Sequence, residues 1–142
     1  MQSVVCVIRG EGDIYVAVWR GRELANALGF NAIDQTRIEI AILELTRNLL
    51  AHAKGGMLRL EALQNSGPPE RTGLMVIAQD TGPGIPNIAL ALQDGYSTTA
   101  TMGAGLPGVK RLMDEFEIES TVGVGTTVRA IKWLTQHRKR GA

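Results

Sequence analysis

The feature that most constrains this chain is where its apolar spacing changes period. Ile14, Ala17, Val18, Gly21, Leu24, Ala25 and Leu28 fall at helical intervals, and so do Ile38, Ala41, Ile42, Leu45 and Leu49. Gly29 stands where a helix C-cap is wanted, and Gly55-Gly56 closes the second run. This predicts one helix ending at Leu28 and another from about Ala32 to Ala53. Ahead of them, Ser3 to Arg9 is short and β-branched, a first strand. After them the period becomes that of strands. Met57 to Leu63 is followed by a polar, Pro-containing hairpin loop from Gln64 to Thr72, and Leu74 to Gln79 then runs straight into Asp80. A glycine-rich stretch from Thr81 to Gly105 interrupts, with one short apolar segment, Ile88 to Leu92, inside it. Leu106 to Glu115 reads as a helix with Pro107 near its first turn. Phe116 to Val122 alternates as a half-buried strand, Gly123-Val124-Gly125 turns the chain, and Thr126 to Leu134 is the last strand. Helices collected on one face of strands joined by short turns predict an α+β fold: a two-layer sandwich with a mixed, mostly antiparallel sheet.

A length of 142 residues suits one domain, read here as 1–142 with a mobile lid at about 81–105 and a short basic tail at 136–142. The lid is expected to order only around a bound nucleotide, because it is rich in glycine and small polar residues. A formal net charge of +1 supplies no global field for DNA or an anionic membrane, and 4% aromatics is poor material for stacking single-stranded bases. No apolar run approaches the roughly 20 residues that span a bilayer. One cysteine, Cys6, cannot form an internal disulfide, which suits a reducing cytoplasm. Neither nucleic acid nor membrane is therefore expected as a partner, and the oligomeric state stays open.

Four constellations can carry chemistry. Glu44 and Asn48 lie four apart and share a helix face at the edge of the apolar stripe. Asn offers a neutral oxygen to Mg²⁺ and Glu is a plausible general base, although a surface pair flanking a core helix has the same spacing. In Asp80-Thr81-Gly82-Pro83-Gly84-Ile85, a carboxylate at a strand end can accept a hydrogen bond from an exocyclic amine such as adenine N6. Gly82 and Gly84 would let backbone pass close to a planar ring, and a tight turn alone would also use these residues. Gly103-Ala104-Gly105-Leu106-Pro107-Gly108 fits the spacing of the dinucleotide fingerprint but lacks the preceding strand. What survives is a glycine loop leading into a helix N-terminus, which suits phosphate. In Gly123-Val124-Gly125-Thr126-Thr127, a threonine at the strand start can reach a purine through water.

In this order the four resemble the GHKL superfamily with its Bergerat ATP pocket: an N-box helix, Asp-x-Gly-x-Gly, a glycine-rich lid and a Gly-x-Gly-Thr turn. Within it the chain looks most like the RsbT-type serine kinases of bacterial stressosomes, along Ile33-Asp34-Gln35, Glu44 to Asn48, Asp80 to Pro86, Gly103 to Phe116 and Ala130 to Leu134. The resemblance implies ATP and Mg²⁺ as cofactors. It also implies phosphorylation of serine or threonine on STAS-domain scaffold or antagonist proteins, then release and activation of a PP2C-type phosphatase. Carried over by motif, Glu44 is the catalytic base and Asn48 the Mg²⁺ ligand. Asp80 holds adenine with Gly84 beneath it, Thr126 or Thr127 completes the purine contact, and residues Gly103 to Gly108 close over the phosphates. The chain departs from the related anti-sigma factor kinases, which carry a lid arginine: no Lys or Arg lies between Arg71 and Lys110. Lys110 is then the expected protein cation for phosphate. An anti-sigma factor kinase and a nucleotide-gated binding switch without significant kinase activity are the rival readings. His52, one turn past Asn48, is expected to be a packed or capping histidine, and Trp19 and Trp133 to be anchors.

Overall fold

The computed structural model describes residues 3–93 and 105–135. Gly103, Ala104 and the basic tail at 136–142 therefore lie outside the described residues. In chain order the elements are β1 (Ser3–Ile8), α1 (Glu11–Leu28), α2 (Ala32–Ala53), β2 (Gly56–Asn65), β3 (Arg71–Asp80), α3 (Ile88–Ala91), α4 (Gly105–Leu112), β4 (Glu115–Thr121) and β5 (Gly125–Trp133).

The strands form one five-stranded sheet ordered β1-β2-β3-β5-β4, and every neighbouring pair is antiparallel. The alternation of strand residues selects the face that is covered. Leu58 and Leu60 of β2, Leu74, Val76 and Ala78 of β3, and Val128 and Ala130 of β5 are buried beneath Ile38, Ala41, Ile42, Leu45 and Leu49 of α2. Ile14, Ala17, Leu24 and Ala25 bring α1 into the same core. Each of the larger buried side chains contributes about 1.5–3 kcal/mol over leaving it in water.

Local chemistry sets the boundaries. Asp13 accepts hydrogen bonds from the Arg9 and Gly10 amides at 2.8 and 3.1 Å, starting α1 at Glu11, ahead of the first apolar residue of its stripe. Gly29 ends α1 with φ 93°, as its position suggests. Asn31 Oδ1 accepts from Asp34 N–H at 2.8 Å and starts α2. At the other end of α2 the left-handed residue is Lys54, one place before the glycine pair. The β2–β3 ladder runs out to Asn65 and Arg71, so the hairpin loop is shorter than the polar stretch that contains it. α4 stops at Leu112, earlier than Glu115, because Asp114 is claimed by β5. Its amide donates to the Ile131 carbonyl, and its carboxylate accepts from the Trp133 amide at 2.7 Å and from Lys132 Nζ at 3.3 Å. Glu115 accordingly opens β4.

Candidate active site

The sheet ends at Asp80 beneath the C-terminal half of α2, and a cavity of about 510 Å³ opens between them. Its apolar walls include Leu45 and Leu49 from α2, Ala78 from β3, Val128 from β5 and Ile85 from the following loop. Asp80 and Asn48 interrupt those walls from opposite layers.

Asp80 reaches the cavity because β3 pairs with β5 in a register that sets it against Thr126. Its Oδ1 accepts from the Gly82 amide at 2.8 Å and from the Thr126 amide at 3.2 Å. Its Oδ2 takes no partner among the described residues. One oxygen is thus spent on aiming the carboxylate, and the other is left as an acceptor in a largely apolar hollow, where an amine donor is worth more than in water. Two glycines make this arrangement possible. Gly125 has φ 147°, and a Cβ there would sit 2.1 Å from the Asp80 carbonyl oxygen. Gly84 has φ 79°, and a Cβ there would lie 2.5 Å from the Thr121 carbonyl oxygen.

Gly84 is therefore needed by the neighbouring backbone of β4, a reason different from close passage of a ring, although Gly84 does line the cavity. Gly82 does not line it: the site where its Cβ would stand is 2.7 Å from Ala53 Cβ, at the end of α2. Thr126 lines the cavity and Thr127, one residue on, is carried to the other face of the sheet opposite Gln79. Of the two threonines, Thr126 is the one on the cavity wall. Its hydroxyl pairs at 2.8 Å with Ser120, which also accepts from the Ile85 amide at 2.7 Å. Ser120 ties the loop after Asp80 to β5, a role that its place in an alternating strand does not announce.

On the helical side, Glu44 is only 1% exposed, and Oε2 accepts from the Gly105 amide at 3.3 Å. Asn48, one turn later, is half-buried and lines the cavity. Residues 105–108 form the first turn of α4 instead of a loop, with Gly105 and Leu106 on the cavity wall and Gly108 buried outside it. Lys110 is exposed and stands outside the cavity lining, because α4 turns Pro107, Gly108 and Val109 inward. The expected phosphate cation is thus not delivered by Lys110 in this arrangement. His52 is exposed on the rim of the same cavity rather than packed. Trp133 is an anchor, stacked under Arg71 at 3.9 Å and hydrogen-bonded through Nε1 to Glu115, whereas Trp19 is 53% exposed.

The donors suit a metal held through phosphate. Among the described residues there is no cluster of three or more His, Cys, Asp or Glu side chains able to cage a cation. Asn48 offers a single neutral oxygen, which fits a small hard cation that keeps waters and phosphate oxygens as its other ligands.

Residues 33–136 match the family of histidine kinase-, DNA gyrase B- and HSP90-like ATPases. The chain is 49% identical over 135 residues to the serine/threonine-protein kinase RsbT of Bacillus subtilis (strain 168), covering 94% of this chain and 99% of that protein. It is 30% identical over 104 residues to an anti-sigma F factor of Caldanaerobacter subterraneus subsp. tengcongensis, covering 71% of each. Among solved structures, the RsbU and RsbW domains of a Mycobacterium tuberculosis protein superpose with a TM-score of 0.63 at 16% identity. That match covers 93% of this chain and 32% of the longer one, and it speaks for the fold alone. No helix among the described residues is long and apolar enough to cross a membrane.

Proposed function

We propose that this chain, which belongs to the family of histidine kinase-, DNA gyrase B- and HSP90-like ATPases, uses ATP and Mg²⁺ to phosphorylate a serine or threonine on STAS-domain scaffold or antagonist proteins. It is a protein serine/threonine kinase of the RsbT type, working in a sigma-factor signalling pathway. Once released from its substrate it activates a PP2C-type phosphatase, and it does so in the cytoplasm, as one domain whose lid is the segment 81–105.

One observation carries the reading: Asp80, with Oδ2 uncommitted, and Asn48, one turn past the buried Glu44, face each other across a single cavity. Asp80 accepts the exocyclic amine of adenine, and Leu45, Leu49, Ala78, Ile85 and Val128 take up the faces of the purine. Thr126 adds the second contact to the ring. Asn48 would hold Mg²⁺ through its amide oxygen, and the metal would supply positive charge to offset that of the phosphates. Glu44 takes the proton of the acceptor hydroxyl as its oxygen attacks the γ-phosphorus and the bond to the bridging oxygen of ADP breaks. The Gly105 amide donates to Glu44 Oε2 and helps to hold the carboxylate in place.

The test is incubation of the full chain with Mg-ATP and a purified STAS-domain protein, read by intact mass. A gain of one phosphoryl group on the partner is expected. Nucleotide binding with no transfer would leave only a nucleotide-gated switch. The anti-sigma relative raises a second reading, capture of a sigma subunit. The absence of Lys and Arg between Arg71 and Lys110 weighs against it, and co-purification with sigma subunits decides it.

A further inference from the structure

The nucleotide cavity has a neighbour. A second hollow of about 420 Å³ opens between the N-terminal half of α1 and the C-terminal half of α2. Asn48 and Gly105 line both hollows, whereas Asp80 lines the first and Glu44 the second. The two spaces therefore meet at the wall where the metal ligand and the start of α4 stand, and the buried carboxylate is reached from the far side of that wall.

This division has a consequence for phosphoryl transfer. The attacking oxygen must approach phosphorus opposite the leaving oxygen. With the base against Asp80 and the phosphates ending at Asn48 and Gly105, the opposite side is the second hollow. That hollow is also furnished for a polypeptide. Tyr15 lines it and is 71% exposed, and Trp19, four residues on and so on the same face of α1, is 53% exposed. Arg47 lines it too, exposed and without a hydrogen bond or ion pair among the described residues. Large aromatic and arginine side chains left open beside a site are the types that dominate binding at protein interfaces.

We propose that the second hollow is the port for the hydroxyl-bearing segment of the protein substrate, with Tyr15 and Trp19 as its apolar shelf and Arg47 pairing with an acidic side chain of that segment. The inference rests on the kinase reading and says where its macromolecular substrate enters. In the step itself the acceptor oxygen bonds to the γ-phosphorus, the phosphorus–oxygen bond to ADP breaks, and the hydroxyl proton passes to Glu44.

The test is steady-state transfer by the full chain to a purified STAS-domain protein, with ADP affinity measured alongside by calorimetry. Arg47→Glu is expected to raise KM for the protein substrate about tenfold or more, and Tyr15→Ser about threefold to tenfold. Arg47→Lys should stay near wild type. Both kcat and ADP affinity should hold within about twofold, since neither side chain lines the nucleotide cavity. Added salt should raise the wild-type KM and leave that of Arg47→Glu nearly unmoved. An unchanged KM in both variants, or a fall in kcat at constant KM, overturns the port while leaving the kinase reading intact. Failure of the wild-type chain to transfer phosphate at all overturns that reading and the port with it.

Discussion

The two ends of the proposed nucleotide cleft are built on different principles. At the base end, Asp80 is aimed by amides from two segments, Gly82 in its own loop and Thr126 from β5, 46 residues away in sequence. Gly84 and Gly125 clear space for this where a side chain would strike backbone. At the transfer end, Glu44 and Asn48 are carried one turn apart by a single helix, and one amide from α4 reaches across to Glu44. The base end is a product of sheet register and backbone contact, so it should be rigid and intolerant. The transfer end depends on helical spacing and on contact with the start of α4, where the Gly105 amide donates to Glu44 at 3.3 Å, so its residues should separate binding from chemistry cleanly.

Substitutions at the two ends should then fail in different ways. The largest effect expected is from Glu44→Ala: transfer to the partner should fall about 10²–10⁴-fold with ADP affinity preserved, measured by single-turnover labelling. Labelling at the wild-type rate would remove Glu44 from the base role. Next is Asp80→Asn, which replaces an acceptor oxygen by a donor facing the cavity, where the proposed adenine amine would be met by another donor. Nucleotide affinity should weaken about a hundredfold or more, read by calorimetry. Tight binding by that variant would show that the two ends do not divide the work as described. Asn48→Ala should lower affinity for Mg-ATP about tenfold while sparing ADP in the presence of a chelator. If both nucleotide forms weaken equally, the metal assignment fails.

Two smaller effects probe the frame behind the cleft. Gly84→Ala adds a Cβ at φ 79° against the Thr121 carbonyl, so it should cost about 1–3 kcal/mol in denaturant unfolding. The same experiment at exposed positions of the helical side should cost little. Cys6 lies on the covered face of β1, and burial raises its thiol above the ordinary value, with Arg20 pulling weakly the other way. Less thiolate is present at neutral pH, so alkylation should run about tenfold slower than for a free cysteine and quicken as pH rises. A fast reaction at pH 7 would mean that the sheet opens at β1.

The helical half was the more legible from residues alone. α2 runs from Ala32 to Ala53 where its periodicity puts it, because a helix writes its buried face at intervals of three and four within one segment. The pair Glu44 and Asn48 is visible for the same reason. The base end was less so. Asp80 stands out as a carboxylate at a strand end, yet nothing near it in sequence announces Ser120 or selects Thr126 over Thr127, since that choice depends on which face of β5 is covered. Gly82, Gly108 and Lys110 belong to motifs that reach the site, but their own positions turn toward other neighbours. Tyr15 belongs to no motif, and Arg47 lies inside the stretch Glu44 to Asn48 with no role assigned to it there. They become notable only when α1 and α2 are laid side by side and a hollow appears between them.

By itself, the order of residues determined the elements, the α+β layering, the Glu44 and Asn48 pair and the Asp80 motif, because each is written in short-range spacing or in a contiguous motif. Only the tertiary structure decided which oxygen of Asp80 is left uncommitted, that Glu44 is buried and held by Gly105, and that Glu44 faces a different hollow from Asp80. Those facts depend on strand register and helix packing between segments tens of residues apart, and no local pattern encodes the distance between them.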